Sequence, residues 1–489
     1  PAGTWPGGEL DDRERGEMST GYAWGAVRPP DYAPSYPPDP CVPPPWWRDA
    51  VATGTWGSIL VTLALWVGHR GLQDLGAAAS GLTSLGRLAG LLSADLLLIQ
   101  VLLMARIPLV ERSYGQDVLA RRHRWVGFAS FHLLLAHLVL ITLGYAGGRV
   151  NPIREFVDLV LNDPGMLLAL AATALLTLVV VTSIRRARAR LRYESWHLLH
   201  LYAYLGVGLA VPHEIWTGTE FTGSRIASLY WWSLWGAAAA AVLIWRLGVP
   251  VVRSLRHGLR VEAVVPESPG VVSVYLAGRD LDRLPVNAGQ FFTWRFLTGA
   301  GWTRGNPYSL SAAPRPDRLR ITVKDLGDGS RRLADLRPGT RVLFEGPYGR
   351  LHAGTRTRQR VTLMASGIGI TPLRALMEQL RHRPGELTLI FRASSDSDLI
   401  LRDEIDRLAA SRGARVFYVV GRRIPGRATW LPATAAHLSD SQALLQLVPD
   451  IAHHDVYICG AEAWMDAARA AALDAQVPPE HVHLERFSW

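Results

Sequence analysis

Six long apolar segments fill most of the first half of this 489-residue chain, and short alternating segments fill the second half. Most of the apolar segments approach the roughly 20 residues that an α-helix needs to cross the hydrocarbon core of a bilayer. They lie at residues 51–68, 88–110, 124–147, 165–184, 195–213 and 226–250. The pattern therefore predicts a bundle of six transmembrane helices, in which the first segment is short and the fifth contains Pro212.

From about residue 257, apolar and polar positions alternate in short runs such as LRVEAVV, VVSVYLAG, QFFTWRFL and LRITVKDL. Glycine, proline and aspartate separate these runs, which is typical of an antiparallel β-barrel. From residue 361, strand-like and helix-like segments alternate, which predicts an open parallel α/β domain. The predicted fold class is a multidomain membrane protein with a six-helix transmembrane bundle (51–253), an antiparallel β-barrel (254–355) and an α/β domain (356–489).

The first 50 residues contain the run APSYPPDPCVPPPWW, and proline at this density is incompatible with a helix. We expect residues 1–50 to form a disordered or polyproline tail, either as a plain extension or as a recognition segment. This tail is acidic and polar and has no apolar core, so we expect no signal peptide. Cys41 and Cys459 are too few for a disulfide framework or a metal-binding motif.

Arginine supplies almost all of the positive charge of the chain, whose formal net charge is +10. The arginines cluster at the ends of apolar segments, which argues against nucleic-acid binding and favours contact with membrane lipid. One set of connections carries Arg112, Arg121, Arg122, Arg124, Arg185, Arg186, Arg188, Arg190, Arg192, Arg246, Arg253, Arg256 and Arg260. The opposite set carries Arg70, Arg87, Arg149, Arg154 and Arg225. The positive-inside rule therefore places both termini in the cytoplasm.

Four histidines accompany the third and fifth apolar segments, where ionisable side chains are costly and usually functional. His123 and His137 are 14 positions apart, and His200 and His213 are 13 positions apart. Fourteen positions are about 3.9 helical turns, so His123 and His137 point nearly the same way, roughly 20 Å apart. Two histidines from each of two helices suit two haem groups, each held by two imidazoles.

The predicted topology places His123 and His200 near the cytoplasmic side, and His137 and His213 towards the outside. Only this topology places His123 at the depth of His200 and His137 at the depth of His213. Thirteen positions are about 3.6 turns, so His200 and His213 face apart on an ideal helix. We expect a kink at Pro212 to correct this difference.

The alternative to iron ligation is that these imidazoles are polar side chains bonded to neighbouring carbonyl groups. One histidine alone favours that alternative, whereas two pairs at matched depth favour ligands. His132 is out of phase with His123, and His197 lies one turn before His200. We expect His132 and His197 to be structural or to support the ligands, with His197 as the better substitute ligand.

Two runs in the predicted barrel contain residues that suit a flavin. They are Asn306, Pro307, Tyr308 and Ser309 in the run RGNPYSLSAAP, and Lys324, Gly329 and Ser330 in the run VKDLGDGS. Tyr308 is expected to pack on the flavin ring system, and Ser309 to reach its polar edge. The second run offers backbone N–H groups and a hydroxyl to a phosphate, which favours FAD over FMN. Each run alone is also compatible with an ordinary β-turn.

A glycine-rich turn between a strand and a helix opens the predicted α/β domain. The run MASGIGITPLRALM contains Gly367, Gly369, Thr371 and Pro372. Glycines let the backbone approach a pyrophosphate, and the following helix N-terminus favours its negative charge. Arg392 and Ser394 follow the next strand and suit a 2′-phosphate, which favours NADPH over NADH. The alternative is that Arg392 is an ordinary surface arginine.

These motifs, in this order, resemble the ferric reductase and NADPH oxidase superfamily, and the resemblance to a bacterial member covers residues 51–489. NPYSLSAAP resembles the flavin motif of the family, with Asn306 where histidine or arginine is usual. GIGITP, FRAS and Cys459-Gly460 resemble the family's nicotinamide-binding set, which makes Cys459 and Gly460 candidate site residues. The ending HLERFSW resembles the family's aromatic tail, and the resemblance implies that Trp489 stacks on the flavin.

The resemblance implies a di-haem membrane domain (51–253), an FAD-binding barrel (254–355) and a ferredoxin–NADP reductase-like NADP-binding domain (356–489). Electrons are then expected to pass from cytosolic NADPH through FAD and two b-type haems to an acceptor outside a bacterial plasma membrane. Oxygen, giving superoxide, is the first choice of acceptor. Ile141 stands where oxygen-reducing members have a further histidine, which keeps ferric chelates close behind.

Two other interpretations stay open at this point. A soluble or membrane redox partner is a third class of acceptor, and the chain is then an electron-feeding subunit of a larger membrane complex. A transporter is a different class of function, but transport explains neither the flavin motif nor the nicotinamide motif.

Overall fold

The computed structural model describes residues 46–486, except for 189, 192, 219, 220, 222, 300, 301 and 303. Residues 1–45 and Trp489 therefore lie outside the described residues, and their predicted roles stay predictions. The prediction of a disordered or polyproline tail is wrong for residues 46–50, which begin a helix (Trp46–Gly68). The chain divides into two compact units, with the boundary between Val249 and Pro250. We call them the membrane unit and the reductase unit, and describe each by itself.

The membrane unit is helical. Its long helices are α1 (Trp46–Gly68), α2 (Ala78–Met104), α4 (Gln116–Ala146), α6 (Met166–Ser183), α7 (Tyr193–Thr217) and α8 (Arg225–Ala241). Two shorter helices are α3 (Pro108–Tyr114) and α5 (Pro152–Asn162). Five of the described helices are long and apolar enough to cross a membrane, and α7 is not among them. The fifth predicted segment lies in α7, which continues through Pro212, so a sixth span stays a prediction.

Helices α2 and α4 pack closely because glycine occupies positions where a side chain would collide with the neighbouring helix. A Cβ atom built on Gly86 would lie 2.9 Å from Cγ1 of Ile141, and one on Gly144 would lie 2.7 Å from the backbone nitrogen of Thr83. Small residues let helix backbones approach inside a bilayer, where the hydrophobic effect does not drive helices together. The α2–α4 contact is therefore built on glycine at both ends.

A buried carboxyl group joins three of the long helices. Asp95 on α2 is fully buried, and its Oδ1 accepts a hydrogen bond from the hydroxyl of Ser58 on α1. The hydroxyl of Tyr230 on α8 lies 2.8 Å from Oγ of Ser58 and 3.4 Å from the same carboxyl oxygen. Buried polar groups need such partners, so this cluster specifies how α1, α2 and α8 pack.

The reductase unit begins with six short strands, which hydrogen-bond as two antiparallel sheets of three strands. They are β1 (Arg260–Ser268), β2 (Val271–Ala277), β3 (Phe291–Phe296), β4 (Asn306–Ser309), β5 (Arg318–Lys324) and β6 (Val342–Tyr348). The sheet orders are β1-β2-β5 and β4-β3-β6. Isolated bridges pair Arg260 with Arg341 and Leu310 with Ile321, and the aromatic rings of Phe292, Trp294 and Phe344 are buried. The alternating pattern predicted a barrel, and its closure stays a prediction.

A five-stranded parallel sheet follows, which confirms the predicted α/β domain. Its strands are β7 (Arg360–Ser366), β8 (Leu387–Ala393), β9 (Arg415–Val420), β10 (His454–Cys459) and β11 (Val482–Leu484), in the order β11-β10-β7-β8-β9. Its helices are α9 (Ile370–Gln379), α10 (Arg402–Arg412), α11 (Asp440–Leu447) and α12 (Glu462–Asp474). Every residue of β8 is buried, as expected for a central strand covered on both faces.

Gly144→Ala is expected to destabilise the membrane unit by about 1–3 kcal/mol, because the added methyl group overpacks the α2–α4 contact. Gly236→Ala is the matched control, since nothing lies within 4 Å of a Cβ built on that glycine of α8. Thermal unfolding of the purified protein should show a lower Tm for Gly144→Ala and an unchanged or slightly higher Tm for the control. Equal Tm values for the two variants would show that the close packing at Gly144 is unimportant.

Candidate functional site

Helices α4 and α7 bring the four predicted histidines together as two pairs. The ring centroids of His123 and His200 are 6.0 Å apart, and those of His137 and His213 are 6.4 Å apart. The planes of the two rings are inclined by 65° in the first pair and by 57° in the second. Both histidines of α7 thus meet partners on α4, although their 13-residue spacing places them out of phase on an ideal helix.

The geometry of each pair fits one metal ion between two imidazoles. An imidazole nitrogen lies about 2 Å from a first-row metal ion, which places two ring centroids on opposite sides of one ion roughly 6 Å apart. Among the described residues, no group of three or more His, Cys, Asp or Glu side chains could hold an ion. Two imidazoles per ion therefore suit a haem, in which a macrocycle supplies the remaining ligands.

Backbone carbonyl groups of α2 orient the two histidines of α4. Nδ1 of His123 lies 3.2 Å from the carbonyl oxygen of Gln100, and Nδ1 of His137 lies 2.8 Å from that of Gly86. A carbonyl group only accepts, so Nδ1 carries the proton in both rings and Nε2 has the lone pair that a metal requires. Such a bond to the second nitrogen is the usual companion of a metal-bound histidine.

Hydroxyl groups orient the two histidines of α7. Nδ1 of His213 lies 2.8 Å from Oγ1 of Thr217, whose own hydrogen bonds the carbonyl oxygen of His213 at 2.7 Å. Nδ1 of His200 lies 3.3 Å from Oγ of Ser183, which also accepts from the indole nitrogen of Trp196 at 3.3 Å. Both hydroxyl oxygens can accept from Nδ1–H, so all four rings can present Nε2 towards their partners.

Two glycines make room for the second pair, and sequence reasoning missed both. A Cβ atom built on Gly90 would lie 2.6 Å from Nδ1 of His137, and one on Gly165 would lie 3.0 Å from Cα of His213. His132 instead bonds the carbonyl group of Phe128 on its own helix, and it belongs to neither of the two described pairs. In the sequence, Gly90 follows Gly86 by one helical turn. The sequence alone could not show that this glycine makes room for His137, because that depends on how α4 packs beside α2.

The predicted flavin residues form strand β4, where one buried polar atom has no protein partner. Tyr308 pairs with Phe292 across β3, and burial raises the pKa of Tyr308 to about 12. The hydroxyl of Ser309 is buried and has no hydrogen-bond partner among the described residues. Buried polar groups are normally satisfied, so this hydroxyl fits a contact with the polar edge of a ligand. Pro307 pairs with Thr293 on the same edge of β3.

The predicted phosphate turn lies close to β4. A Cβ atom built on Gly329 would lie 3.1 Å from Oδ1 of Asn306, so the two motifs meet. Oγ of Ser330 accepts from the backbone nitrogen of Leu326 at 2.8 Å, which uses this hydroxyl within the turn. Nζ of Lys324 lies 3.6 Å from a carboxyl oxygen of Asp398. Their contacts to a phosphate stay predictions.

The glycine-rich turn and the Cys459-Gly460 motif meet at the carboxyl edge of the parallel sheet. Ala365 on β7 pairs with Cys459 on β10, and a Cβ atom on Gly369 would lie 2.7 Å from the backbone nitrogen of Gly460. Residue 369 must therefore be glycine, and Gly367 has φ +55°, which glycine also favours. Ligands of open α/β sheets bind at this edge.

The helix after this turn begins at Ile370, so Thr371 and Pro372 lie in its first turn, as predicted. The hydroxyl of Thr371 donates to the carbonyl oxygen of Ile368 at 3.0 Å. Burial, with a contribution from Glu485, raises the pKa of the Cys459 thiol well above its ordinary value. Cys459 is therefore a neutral thiol, and its catalytic role stays a prediction.

Arg392 lies at the same edge, where it pairs with Ser366 across β7 and β8. It is 4% exposed, and its Nη1 donates to the carbonyl groups of Ala393 and Val419. Burial, followed by the charge of Arg423, lowers the pKa of Arg392 to about 10. Sequence reasoning missed Arg423, which is exposed just after β9 and is a second candidate for a phosphate contact. Ser394 is exposed beside Ala393.

Two families match this chain. The ferric reductase like transmembrane component matches residues 89–211, and the oxidoreductase NAD-binding domain matches residues 363–470. Ferredoxin--NADP reductase B of Sorangium cellulosum (strain So ce56) is 31% identical over 241 residues, which are 47% of this chain and 96% of that protein. The chain belongs to the ferric reductase and NADPH oxidase superfamily. It is thus a multi-pass membrane oxidoreductase with a ferredoxin–NADP reductase-like domain.

Other relatives match less than half of this chain. The ferredoxin reductase component of 3-ketosteroid-9-alpha-monooxygenase from Mycobacterium tuberculosis (strain ATCC 25618 / H37Rv) is 32% identical over 213 residues, or 42% of this chain. This chain spans 56% of that relative. The flavohem-like FAD/NAD-binding domain of nitric oxide dioxygenase from Vibrio cholerae O1 biovar El Tor is 22% identical, with 47% of this chain and 99% of that chain covered. Its TM-score of 0.38 supports no further argument.

A buried charge cluster in this superfamily member joins the flavin motif to the nucleotide-binding helix, and sequence reasoning missed it. Ser311, two residues after Ser309, receives hydrogen bonds on its carbonyl oxygen from Arg320 at 2.7 Å and from Arg374 on α9 at 3.1 Å. Arg320 and Arg374 share Glu404 on α10, and Arg374 also pairs with Glu378. The cluster therefore links the β4 segment to the helix that begins at the glycine-rich turn.

Arg374→Met is expected to lower the free energy of unfolding of the reductase unit by roughly 3 kcal/mol, because Glu378 loses its arginine partner and Glu404 keeps only Arg320. Arg402→Met is the matched control, because its carboxylate partners Asp396 and Asp406 are exposed and lie 3.9 Å and 3.8 Å away. The control should lose under about 1 kcal/mol. Urea unfolding followed by flavin fluorescence measures both, and equal losses would refute the special role of the buried cluster.

Proposed function

We propose that this chain carries electrons across a bacterial plasma membrane, from cytosolic NADPH to an acceptor outside. The proposal rests on the two histidine pairs that α4 and α7 form, in which the ring centroids are 6.0 Å and 6.4 Å apart. The same chain also has a reductase unit. FAD would supply conversion of a hydride into single electrons, and two b-type haems would supply one-electron relay sites. The protein supplies the positions of these groups and their electrostatic surroundings.

The inner haem would be held by His123 and His200, and the outer haem by His137 and His213. The distribution of arginine supports this order, since the connections near His123 and His200 belong to the arginine-rich set. Two imidazoles on each haem iron would leave no coordination position open. An acceptor outside would then receive electrons without binding to iron.

The two antiparallel sheets would form the two halves of a flavin barrel. Tyr308 would pack on the flavin ring, and the unpartnered hydroxyl of Ser309 would bond its polar edge. The glycine-rich turn and the N-terminus of α9 would hold the pyrophosphate of NADPH. Arg392 and Ser394 would face its 2′-phosphate, and the aromatic Trp489 would cover the flavin face until the nicotinamide replaces it.

Oxygen, giving superoxide, is the first acceptor to test, and a ferric chelate is the second. A redox partner in a larger membrane complex is the competing function. It is favoured by the relatives, whose names describe reductase components of oxygenase systems. Acceptor reduction by the isolated chain separates the two functions, because an electron-feeding subunit requires its partner for turnover.

The purified full chain is expected to contain low-spin haem and to oxidise NADPH. It should form superoxide in air and reduce ferric chelate without oxygen.

His137→Ala should remove the outer haem, so that haem content falls by about half and reduction of external acceptors stops. Flavin reduction by NADPH should survive, since the reductase unit is unchanged. Optical spectra, pyridine haemochrome content and stopped-flow flavin absorbance measure the three results.

His132→Ala is the control for this variant, because His132 lies on the same helix and bonds only the carbonyl group of its own helix in the described contacts. It should keep both haems. Gly90→Val offers a second route to the loss, since its side chain would displace the ring of His137. Unchanged haem content in His137→Ala would refute the ligand assignment.

Arg392→Ala is expected to narrow the preference for NADPH over NADH by about tenfold, the loss of one charge-assisted hydrogen bond of roughly 1.5 kcal/mol. Arg423→Ala is the companion variant, because Arg423 is exposed beside Arg392 and touches the same sheet edge. The ratio of kcat/KM for the two nucleotides measures the effect, and thermal stability separates it from loss of the buried carbonyl contacts. If the preference for NADPH narrows in Arg423→Ala but not in Arg392→Ala, then Arg423 makes the phosphate contact.

A further inference from the structure

Helix α5 has a surface that neither redox site explains. It lies between α4 and α6, joined to them by residues 147–151 and 163–165. Asn151 caps its first turn by accepting a hydrogen bond from the backbone nitrogen of Ile153 at 2.8 Å, and Pro152 begins the helix. Helices α4 and α6 both contain candidate membrane spans, so these short connections hold α5 at the membrane surface.

The apolar side chains of α5 occupy one side of the helix. Successive residues are rotated by about 100°, which places six apolar side chains within an arc of roughly 200°. In order around the arc they are Leu159, Phe156, Val160, Ile153, Val157 and Leu161. The polar side chains of Arg154, Asp158, Asn162 and Glu155 follow on the other side. This arrangement is typical of a helix at the boundary between water and an apolar phase.

The described protein covers only one half of this arc. Val160 is buried and Phe156 is half-buried, whereas Ile153, Val157 and Leu161 are 74%, 47% and 65% exposed. The exposed residues have the spacing i, i+4, i+8, so they form one continuous stripe along the helix. A contiguous exposed apolar surface usually marks an interaction site.

We propose that the stripe of Ile153, Val157 and Leu161 is a lipid-binding surface, inserted among the acyl chains of the outer leaflet. The occupant is lipid because α5 is tethered on both sides to membrane-spanning helices, within a few residues of the point where each one ends. Arg154 borders the stripe, where its aliphatic stem follows the apolar surface and its guanidinium reaches the phosphate of a headgroup. The polar side chains of Asp158 and Asn162 face water.

The turn that follows α5 connects this surface to the second histidine pair. Gly165 in that turn has φ +80°, and a Cβ atom built on it would lie 3.0 Å from both Cα and the backbone nitrogen of His213. The turn therefore packs on the backbone of His213. A lipid-anchored α5 holds this turn against the pair, independently of which acceptor the protein serves.

Spin labels on the full chain, reconstituted in bilayers of phosphatidylcholine and phosphatidylglycerol, test the proposal. Val157→Cys places the label on the stripe, and Asp158→Cys, one position along, is the matched control. Both are made with Cys41→Ser, since Cys459 is buried. Collision with oxygen, which concentrates in lipid, should exceed collision with a water-soluble nickel chelate at residue 157. The order should be reversed at residue 158.

Leu161→Cys repeats the measurement at the other end of the stripe, so the result does not depend on one variant. Equal access of the nickel chelate at residues 157 and 158 would overturn the proposal, because the stripe would then face water. Protection of residues 157 and 161 from both reagents would also overturn it, because a protein would then cover the stripe. The readout does not depend on haem, so its outcome is separate from that of the proposed electron transfer.

Discussion

The interaction on which the rest depends is the hydrogen bond that each histidine makes through Nδ1. In hydrocarbon no water can orient or satisfy an imidazole, so the protein must do both. Helix α2 carries no histidine, yet its carbonyl groups at Gly86 and Gln100 set the proton positions on the histidines of α4. Because Gly90 has no side chain, the ring of His137 can reach the carbonyl oxygen of Gly86, one turn earlier on α2. The close α2–α4 packing and the orientation of His123 and His137 are therefore one feature.

Both units bury polar side chains beside partners, and the partners differ from one cluster to the next. In the membrane unit, the hydroxyl groups of Ser58 and Tyr230 lie within hydrogen-bond distance of Oδ1 of Asp95, whereas its Oδ2 has no hydrogen-bond partner among the described residues. The reductase unit buries full charges, but Arg320 and Arg374 are matched by two carboxylates. The membrane unit also buries an ion pair, in which Nη1 of Arg106 lies 2.7 Å from Oε1 of Glu111. The charge cluster of the reductase unit links the segment after β4 to α9.

Periodicity was enough to predict the long helices, the alternating strands and the parallel sheet, because burial imposes a period of its own on each element. It also drew attention to the four histidines that pair in the fold, whose role as ligands stays a prediction. It could not resolve the 13-residue spacing of His200 and His213, because the rotation of α7 against α4 decides which side chains meet. Ser311 and Arg374 are 63 positions apart, so their contact exists only in the folded chain. The glycines that admit the imidazoles have meaning only beside the neighbouring helix.

The residue at position 141 bears on which electron acceptor the proposed function has. In members of the superfamily that reduce oxygen, a histidine stands one turn beyond the outer ligand, where this chain has Ile141. A Cβ atom on Gly86 would lie 2.9 Å from Cγ1 of Ile141, so the isoleucine fills the space beside the carbonyl group that orients His137. Ile141 therefore gives the His137–His213 pair an apolar neighbour that has no proton to donate.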